Sequence, residues 1–437
     1  MMSGQLNCPL ALHGIGEQNL MSKEAASLDE ECVHLALAIN EHLPGYVDSY
    51  FGPQEWSQNA KQAGKLPLAE LTQRADQLAT NLSQAHDWET QRKDFLLRQI
   101  RAMQMSLRLL SGETLSLTEE AQALYDIHPA WKDEADFIER QKWLEERLPP
   151  AGSLRDRLET WKTSLELPLE KTRELLPFII RRLRELAHRK FNLPKEESFE
   201  VEFVSDQPWM AYNRYLGDYK SRIEINTDIP MRVDGLVITI AHEGYPGHHT
   251  ELCMKEAKLV RQMNYQEHLV TLINTPSSVV AEGIATSALE TLLTEVELED
   301  WYGEEILPRA GLTHVDVKQM MEIGHAERNV RNLWGNAAFM LHDQKKSTEE
   351  IIAYLQKYGM HTEKEAQRAI RFISDPLDRS YIFTYTTGYD LLEELFAIAD
   401  REQYFARLLE EPVTPSQIRD WIKNESRSKK TNGIPTT

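Results

Sequence analysis

Cysteine is scarce in this chain. Cys8, Cys32 and Cys253 are the only three in 437 residues, widely spaced and odd in number. They supply neither a disulfide framework nor a cysteine-built zinc site, and a reducing, cytoplasmic setting is the expectation. Long apolar runs are missing as well, since nothing approaches the ~18–20 residues of a membrane span. Met1 to Leu20 lack a basic start and an apolar core, so no signal peptide is predicted. Leu6-Asn7-Cys8 does not suit lipoprotein cleavage either. Met21 opens a charged, helical stretch and reads as the natural start, which makes residues 1–25 a disordered leader or tag-like segment. Positive charge is in deficit: 49 Lys and Arg face 69 Asp and Glu, a net charge of −20. That balance opposes non-specific binding to nucleic acid or anionic membrane, and neither is expected as a partner.

What the chain does have is helical periodicity. Residues 26–198 predict a succession of helices: Leu28 to Leu43, Trp88 to Leu110, Thr118 to Asp126, Glu134 to Leu148, Leu154 to Leu165 and Leu169 to Lys190. Pro44-Gly45, Gly112 and Pro149-Pro150-Ala151-Gly152 mark breaks between them. The Trp and Leu stripes on these helices read as core. Residues 199–425 form a second region, expected to be continuous with the first. Phe199 to Val204 and Ser221 to Asn226 alternate with period two and predict strands, with a turn-rich piece, Pro208 to Asn213, between them. Helices then return at Val233 to Glu243, Glu251 to His268, Ser277 to Thr294, Val315 to His342, Thr348 to Gly359, Glu363 to Ile373 and Tyr389 to Ile398. Residues 426–437 are polar and expected to be a disordered tail. The fold class is mainly α, with one small sheet next to a histidine-bearing helix.

That helix ends in His242-Glu243-Gly244-Tyr245-Pro246-Gly247-His248-His249. Imidazole and carboxylate suit zinc, and a catalytic zinc site keeps three protein ligands and an open water position. In the familiar HExxH arrangement two histidines lie one turn apart, with the glutamate as general base. Here the fourth position after His242 is Pro246, and the next histidines come six and seven residues on. On an unbroken helix His249 would lie about 10.5 Å along the axis from His242. That is too far for two imidazoles sharing one ion at bonds of about 2.0–2.1 Å. The helix must therefore break. Pro246 lacks an amide and Gly247 is permissive, so the sequence supplies the break where it is needed. An extra two residues bring His248 into place and an extra three bring His249. His248 is favoured, with His249 otherwise behind it or facing substrate.

Glu282 is the best third ligand: a lone acid in a helix of small and apolar residues, where an unpaired carboxylate is costly. Gly283 beside it allows another helix to approach closely. Either feature alone has a plain structural explanation, a helix cap for the histidines or an ion pair with Arg331 for the glutamate. Glu243 and the Pro-Gly break tip the balance toward a site for one divalent ion, zinc by ligand type.

At this point the residues resemble a known group. His242 to His249 is similar to the HExxPGHH signature of the bacterial family called domain of unknown function 885, regarded as zinc peptidases of glutamate-zincin type. Gly45-Tyr46-Val47-Asp48-Ser49-Tyr50-Phe51-Gly52-Pro53, Arg222 to Asn226, Arg331 with His342-Asp343, and Tyr385-Thr386-Thr387-Gly388-Tyr389 resemble further family segments. The chain departs from the family at Ile284, Ala338 and Thr386. The resemblance implies a large helical, zincin-like metallopeptidase architecture. It also implies metal-assisted hydrolysis, with Glu243 as general base and Tyr385, or else His342, as donor to the oxyanion. Asn226 is a candidate for substrate backbone, and Arg331, Arg371 and Arg379 for a peptide carboxylate, with an ion pair in the helical core as the alternative. The expected substrate is a short peptide or another small amide. Two other readings stand beside this one: a metal- or peptide-binding module without turnover, and a hydrolase of a non-peptide amide or ester. Glu243 argues against the first, since a pure binder needs no base beside the water.

Overall fold

Helices start where the sequence places reciprocal caps. Ser116 with Glu119, Thr294 with Glu297, Ser347 with Glu350 and Thr362 with Glu365 each satisfy the first free amides of a helix. The structure, a computed structural model, describes residues 27–207, 209–328 and 330–431, without the side chains of Arg331, Lys430 and Thr431. The leader read at residues 1–25 and the last residues of the polar tail, 432–437, lie outside the described residues. The chain is mainly helical, with two small sheets. Three helices, Leu169–Lys190, Val233–Glu243 and Thr348–Gly359, have the ends that the sequence predicts.

The strands are β1 (Val47–Tyr50), β2 (Ser198–Val204), β3 (Ala211–Gly217), β4 (Lys220–Asn226) and β5 (Val270–Leu272). One sheet has the order β2-β4-β3, with β2 parallel and β3 antiparallel to β4. In the other, β1 pairs antiparallel with β5, Val47 opposite Leu272. β3 begins inside the segment read as a turn. Its buried positions are Asn213, Tyr215 and Gly217, so the alternation of burial is not an alternation of hydrophobicity.

Four helices build the site: α1 (Val233–Glu243), α2 (His248–Lys255), α3 (Pro276–Thr286) and α4 (Ile382–Phe396). α2 is short where one long helix was expected. It passes into a π-helical turn, Glu256–Gln262, and a 3-10 turn, Gln266–Leu269. The stretch expected as one helix from Val315 to His342 is two, Val317–Arg328 and Arg331–His342. The final helix, Pro415–Thr431, runs into the segment read as a polar tail.

Two apolar clusters meet on α3, and a third packs the first helices. One joins Leu169–Lys190 and α1 to the C-terminal helices and includes Val280. A second joins Leu117–Tyr125, Arg331–His342 and Thr348–Gly359 and includes Val279. The third joins the first helices to β5. Adjacent residues of α3 thus face two different cores, which fixes the rotation of the helix and the direction of Glu282.

Candidate metal centre

α1 stops at Glu243, and the chain folds back before α2 begins at His248. The amides of Gly244 and Gly247 bond to the carbonyls of Ile240 and Ala241, at 2.9 and 3.0 Å. The Tyr245–Pro246 peptide is cis. A Cβ at Gly247 would lie 1.8 Å from the carbonyl oxygen of His242, so only glycine fits. This tight return brings His248 beside His242, their rings perpendicular with centroids 4.8 Å apart.

α3 supplies the carboxylate. Glu282 Oε2 lies 3.5 Å from His242 Nε2, and Oε1 lies 3.9 Å from His248 Nε2. One donor atom from each of His242, His248 and Glu282 falls within 4.8 Å of the others, so the three can hold a metal ion. The electrostatics fit a cation. Glu282 Oε2 is buried without a hydrogen-bond partner among the described residues, although Oε1 accepts one from Tyr381 at 2.7 Å. Burial pushes the His248 imidazole down, but Glu251, Glu282 and Glu243 outweigh it and raise its pKa to about 9. A pocket that favours a proton on His248 favours a divalent ion in its place, with the imidazole neutral.

Glu243 follows His242 and lines the same cavity, of about 260 Å³. Its backbone carbonyl accepts a hydrogen bond from Asn213 Nδ2 at 2.7 Å, which ties the end of α1 to β3. Tyr385 also lines the cavity, one turn along α4 from Tyr381, with ring centroids 5.5 Å apart. α4 reaches the site because Gly388 lies against α3, where an added Cβ would be 2.3 Å from the carbonyl of Val279. The approach is reciprocal: a Cβ added at Gly283 would lie 2.8 Å from the carbonyl oxygen of Gly388.

The remaining sequence candidates lie elsewhere. His249 points away from the ion site, fully buried, with Nε2 2.9 Å from Glu197 and Nδ1 2.8 Å from Ser221 Oγ. Asn226 donates to the carbonyls of Gln207 and Trp209 at 2.9 and 3.0 Å, holding the loop before β3 and not lining the cavity. His342 donates to the Ile373 carbonyl at 2.6 Å and is not part of the cavity wall. Arg379 is paired with Glu120, as an ion pair in the helical core. The side chain of Arg331 lies outside the described residues.

No protein-family model matches the chain, and no curated protein matches it in sequence. Solved structures do. A candidate lipoprotein from Colwellia psychrerythraea aligns with a TM-score of 0.51 at 13% identity, over 83% of this chain and 66% of that one. The chain therefore spans just under two thirds of that protein, and the likeness is one of fold. A candidate lipoprotein of unknown function from Shewanella oneidensis aligns with a TM-score of 0.46 at 12% identity, over 93% of this chain and 80% of that one. Metallocarboxypeptidase 1 of Trypanosoma cruzi aligns with a TM-score of 0.40 at 10% identity, over 93% and 90% of the two chains. No helix among the described residues is long and apolar enough to cross a membrane.

Several residues of the site carry no sequence signal of their own. Glu197 accepts from Arg184 at 2.6 Å, from His188 at 2.7 Å, from Tyr245 at 2.5 Å and from His249. Burial pushes its carboxyl up, but His249, Tyr245 and His188 more than offset this and hold its pKa at about 2. Tyr381 was discoverable only as the residue one turn before Tyr385. Asp48, inside the quoted Gly45 to Pro53 segment, lines the cavity and accepts a hydrogen bond from Tyr212.

Proposed function

We propose that this chain is a zinc-dependent hydrolase that cleaves short peptides. The observation that carries this reading is the convergence of His242, His248 and Glu282 beside Glu243 in one cavity. A zinc ion on those donors would supply Lewis acidity, polarising a scissile carbonyl and making a water more acidic. Glu243 accepts that water's proton and returns it to the leaving amine. Tyr385 donates a hydrogen bond to the oxyanion as it develops. Tyr381 keeps the Glu282 carboxylate in place through its bond to Oε1. β3 lies at the edge of its sheet, and Ala211, Tyr212 and Asn213 line the cavity, which suits a peptide backbone laid along the strand. Cys32 and Cys253 are unpaired and buried, and we place the reaction in the cytoplasm.

The decisive experiment exposes an unbiased peptide library to the zinc-loaded and the chelated protein and reads cleavage by mass spectrometry. Cleavage that chelation abolishes and zinc restores is expected. A library left intact by the zinc-loaded protein overturns the peptidase reading and returns weight to a binding module or a non-peptide hydrolase. Glu243→Gln should retain metal and lower turnover by roughly two to four orders of magnitude. Glu282→Ala should lose the metal in elemental analysis.

A further inference from the structure

A peptide has a cationic end and an anionic end, and this cavity treats them unequally. Among the described side chains that line it, Lys255 is the one ammonium, and Glu251 holds it at 2.5 Å. Glu256 is paired with Arg261 and Glu267 with Arg92, so those carboxylates are already neutralised. Asp378 also lines the cavity without a cationic partner among the described residues, but burial and the neighbouring Asp375 push its carboxyl up to about 7. Asp48 likewise has no cationic partner among the described residues. It stands on β1, lines the cavity, and accepts one hydrogen bond, from the Tyr212 hydroxyl. Tyr212 is fixed in turn by stacking on Trp209, with centroids 5.5 Å apart. Burial raises the Asp48 carboxyl above its ordinary range, and Glu282 and Glu243 add to the rise, while Tyr212 and His248 oppose it. Asp48 shares the cavity wall with His242, Glu243, His248 and Glu282. A half-buried carboxylate with a single hydrogen bond gains from a cation brought beside it.

We propose that Asp48 binds the free amino terminus of the substrate, so that hydrolysis takes place next to the N-terminal end of a short peptide. This rests on the hydrolase reading above and adds the end of the chain that is recognised. The carboxy terminus finds no uncommitted cation among the described lining side chains, whereas the ammonium finds a carboxylate beside the reacting centre. A lysine side chain carries the same chemistry, and the test separates the two sources.

The zinc-loaded chain and its Glu243→Gln variant are each given three pools of random tripeptides: unmodified, N-acetylated, and N-acetylated with lysine in the middle position. Cleavage is read by mass spectrometry on the native chain, and binding by equilibrium dialysis on the variant. The unmodified pool should be bound and cleaved roughly thirty-fold better than the acetylated pool. Asp48→Asn should bring the two pools level while its zinc content stays whole. Equal handling of unmodified and acetylated pools by the native chain overturns the role of Asp48 and leaves the hydrolase reading standing. Full recovery by the acetylated lysine pool overturns the amino terminus as the ligand. Selective binding of the unmodified pool with no cleavage anywhere supports Asp48 and overturns the hydrolase reading. Loss of zinc from a folded Asp48→Asn makes Asp48 a metal ligand and overturns the proposal. If that variant does not fold, the comparison of pools on the native chain decides alone.

Discussion

Tyr381, the residue that caps α4, donates its phenolic proton to Glu282 Oε1 of α3 across 2.7 Å. The bond leaves Oε2 for the ion and fixes the plane of the carboxylate. Partners of this kind typically change metal affinity by about 10- to 100-fold when removed. Tyr381→Phe should therefore weaken zinc binding by at least about tenfold, with the fold kept, in a competition against a chromophoric chelator. Unchanged affinity would show that the ligand is oriented by packing alone.

Glu197 anchors the other side of the histidine segment. Its buried carboxylate gathers Arg184, His188, Tyr245 and His249, the last two from the return that sets His248. Removing one partner of a buried charged network costs about 3–5 kcal/mol. Glu197→Ala should lower the unfolding free energy by that order in urea at neutral pH, and weaken zinc binding with it. The pH dependence has a definite sign. The folded pKa, about 2, lies below the ordinary 4.5, so this stabilisation is complete above pH 4.5 and is lost as pH falls toward 2. Glu197→Gln should flatten the stability curve in that window. A variant with the native acid slope would show that other carboxylates carry it.

Much of this fold is legible in the sequence because helical periodicity and caps are local signals. Leu169–Lys190 and Val233–Glu243 could be bounded from neighbouring residues alone. The break at Pro246-Gly247 follows from reach: two imidazoles cannot share an ion seven residues apart on a straight helix. Other features depend on partners distant in sequence. β3 buries Asn213 because it bonds to the end of α1, and no period-two hydrophobic pattern announces that. Glu197 looks like any acid after a proline until His188, Tyr245 and His249 close around it. The chemistry of Asn226 and Arg379 suits substrate binding, and the structure commits both to structural partners, the loop before β3 and the sequence-distant Glu120.

The approach of α3 to α4 gives a third prediction. A Cβ at Gly388 would come within 2.3 Å of the Val279 carbonyl and 2.9 Å of the Gly283 amide, both backbone atoms. The helices must separate to admit it. Gly388→Ala should destabilise by roughly 1–3 kcal/mol, as overpacking does. It should also loosen the Tyr381–Glu282 bond, which spans the same two helices. Thermal unfolding and the chelator competition are expected to move together. A stability loss without a change in zinc affinity would separate the helix contact from the site.

His268 offers a test at milder pH. Its ring stacks on Phe95 with centroids 5.2 Å apart, and its Nε2 is buried without a hydrogen-bond partner among the described residues. Burial, with Lys255 and Arg92 nearby, lowers its pKa from 6.5 to about 3. The folded protein therefore keeps His268 neutral, while the unfolded chain takes up a proton below pH 6.5. Its contribution is complete above that pH and is lost as pH falls toward 3, at up to about 1.4 kcal/mol per pH unit. His268→Phe keeps the aromatic stack and removes the titration. Urea unfolding between pH 6.5 and 5 should show a slope shallower by about one proton in the variant, because the carboxylates of the Glu197 network have not yet begun to titrate there. Parallel curves for the two proteins would mean that His268 takes up its proton in the folded state as readily as in the unfolded one, and so is not desolvated by its burial.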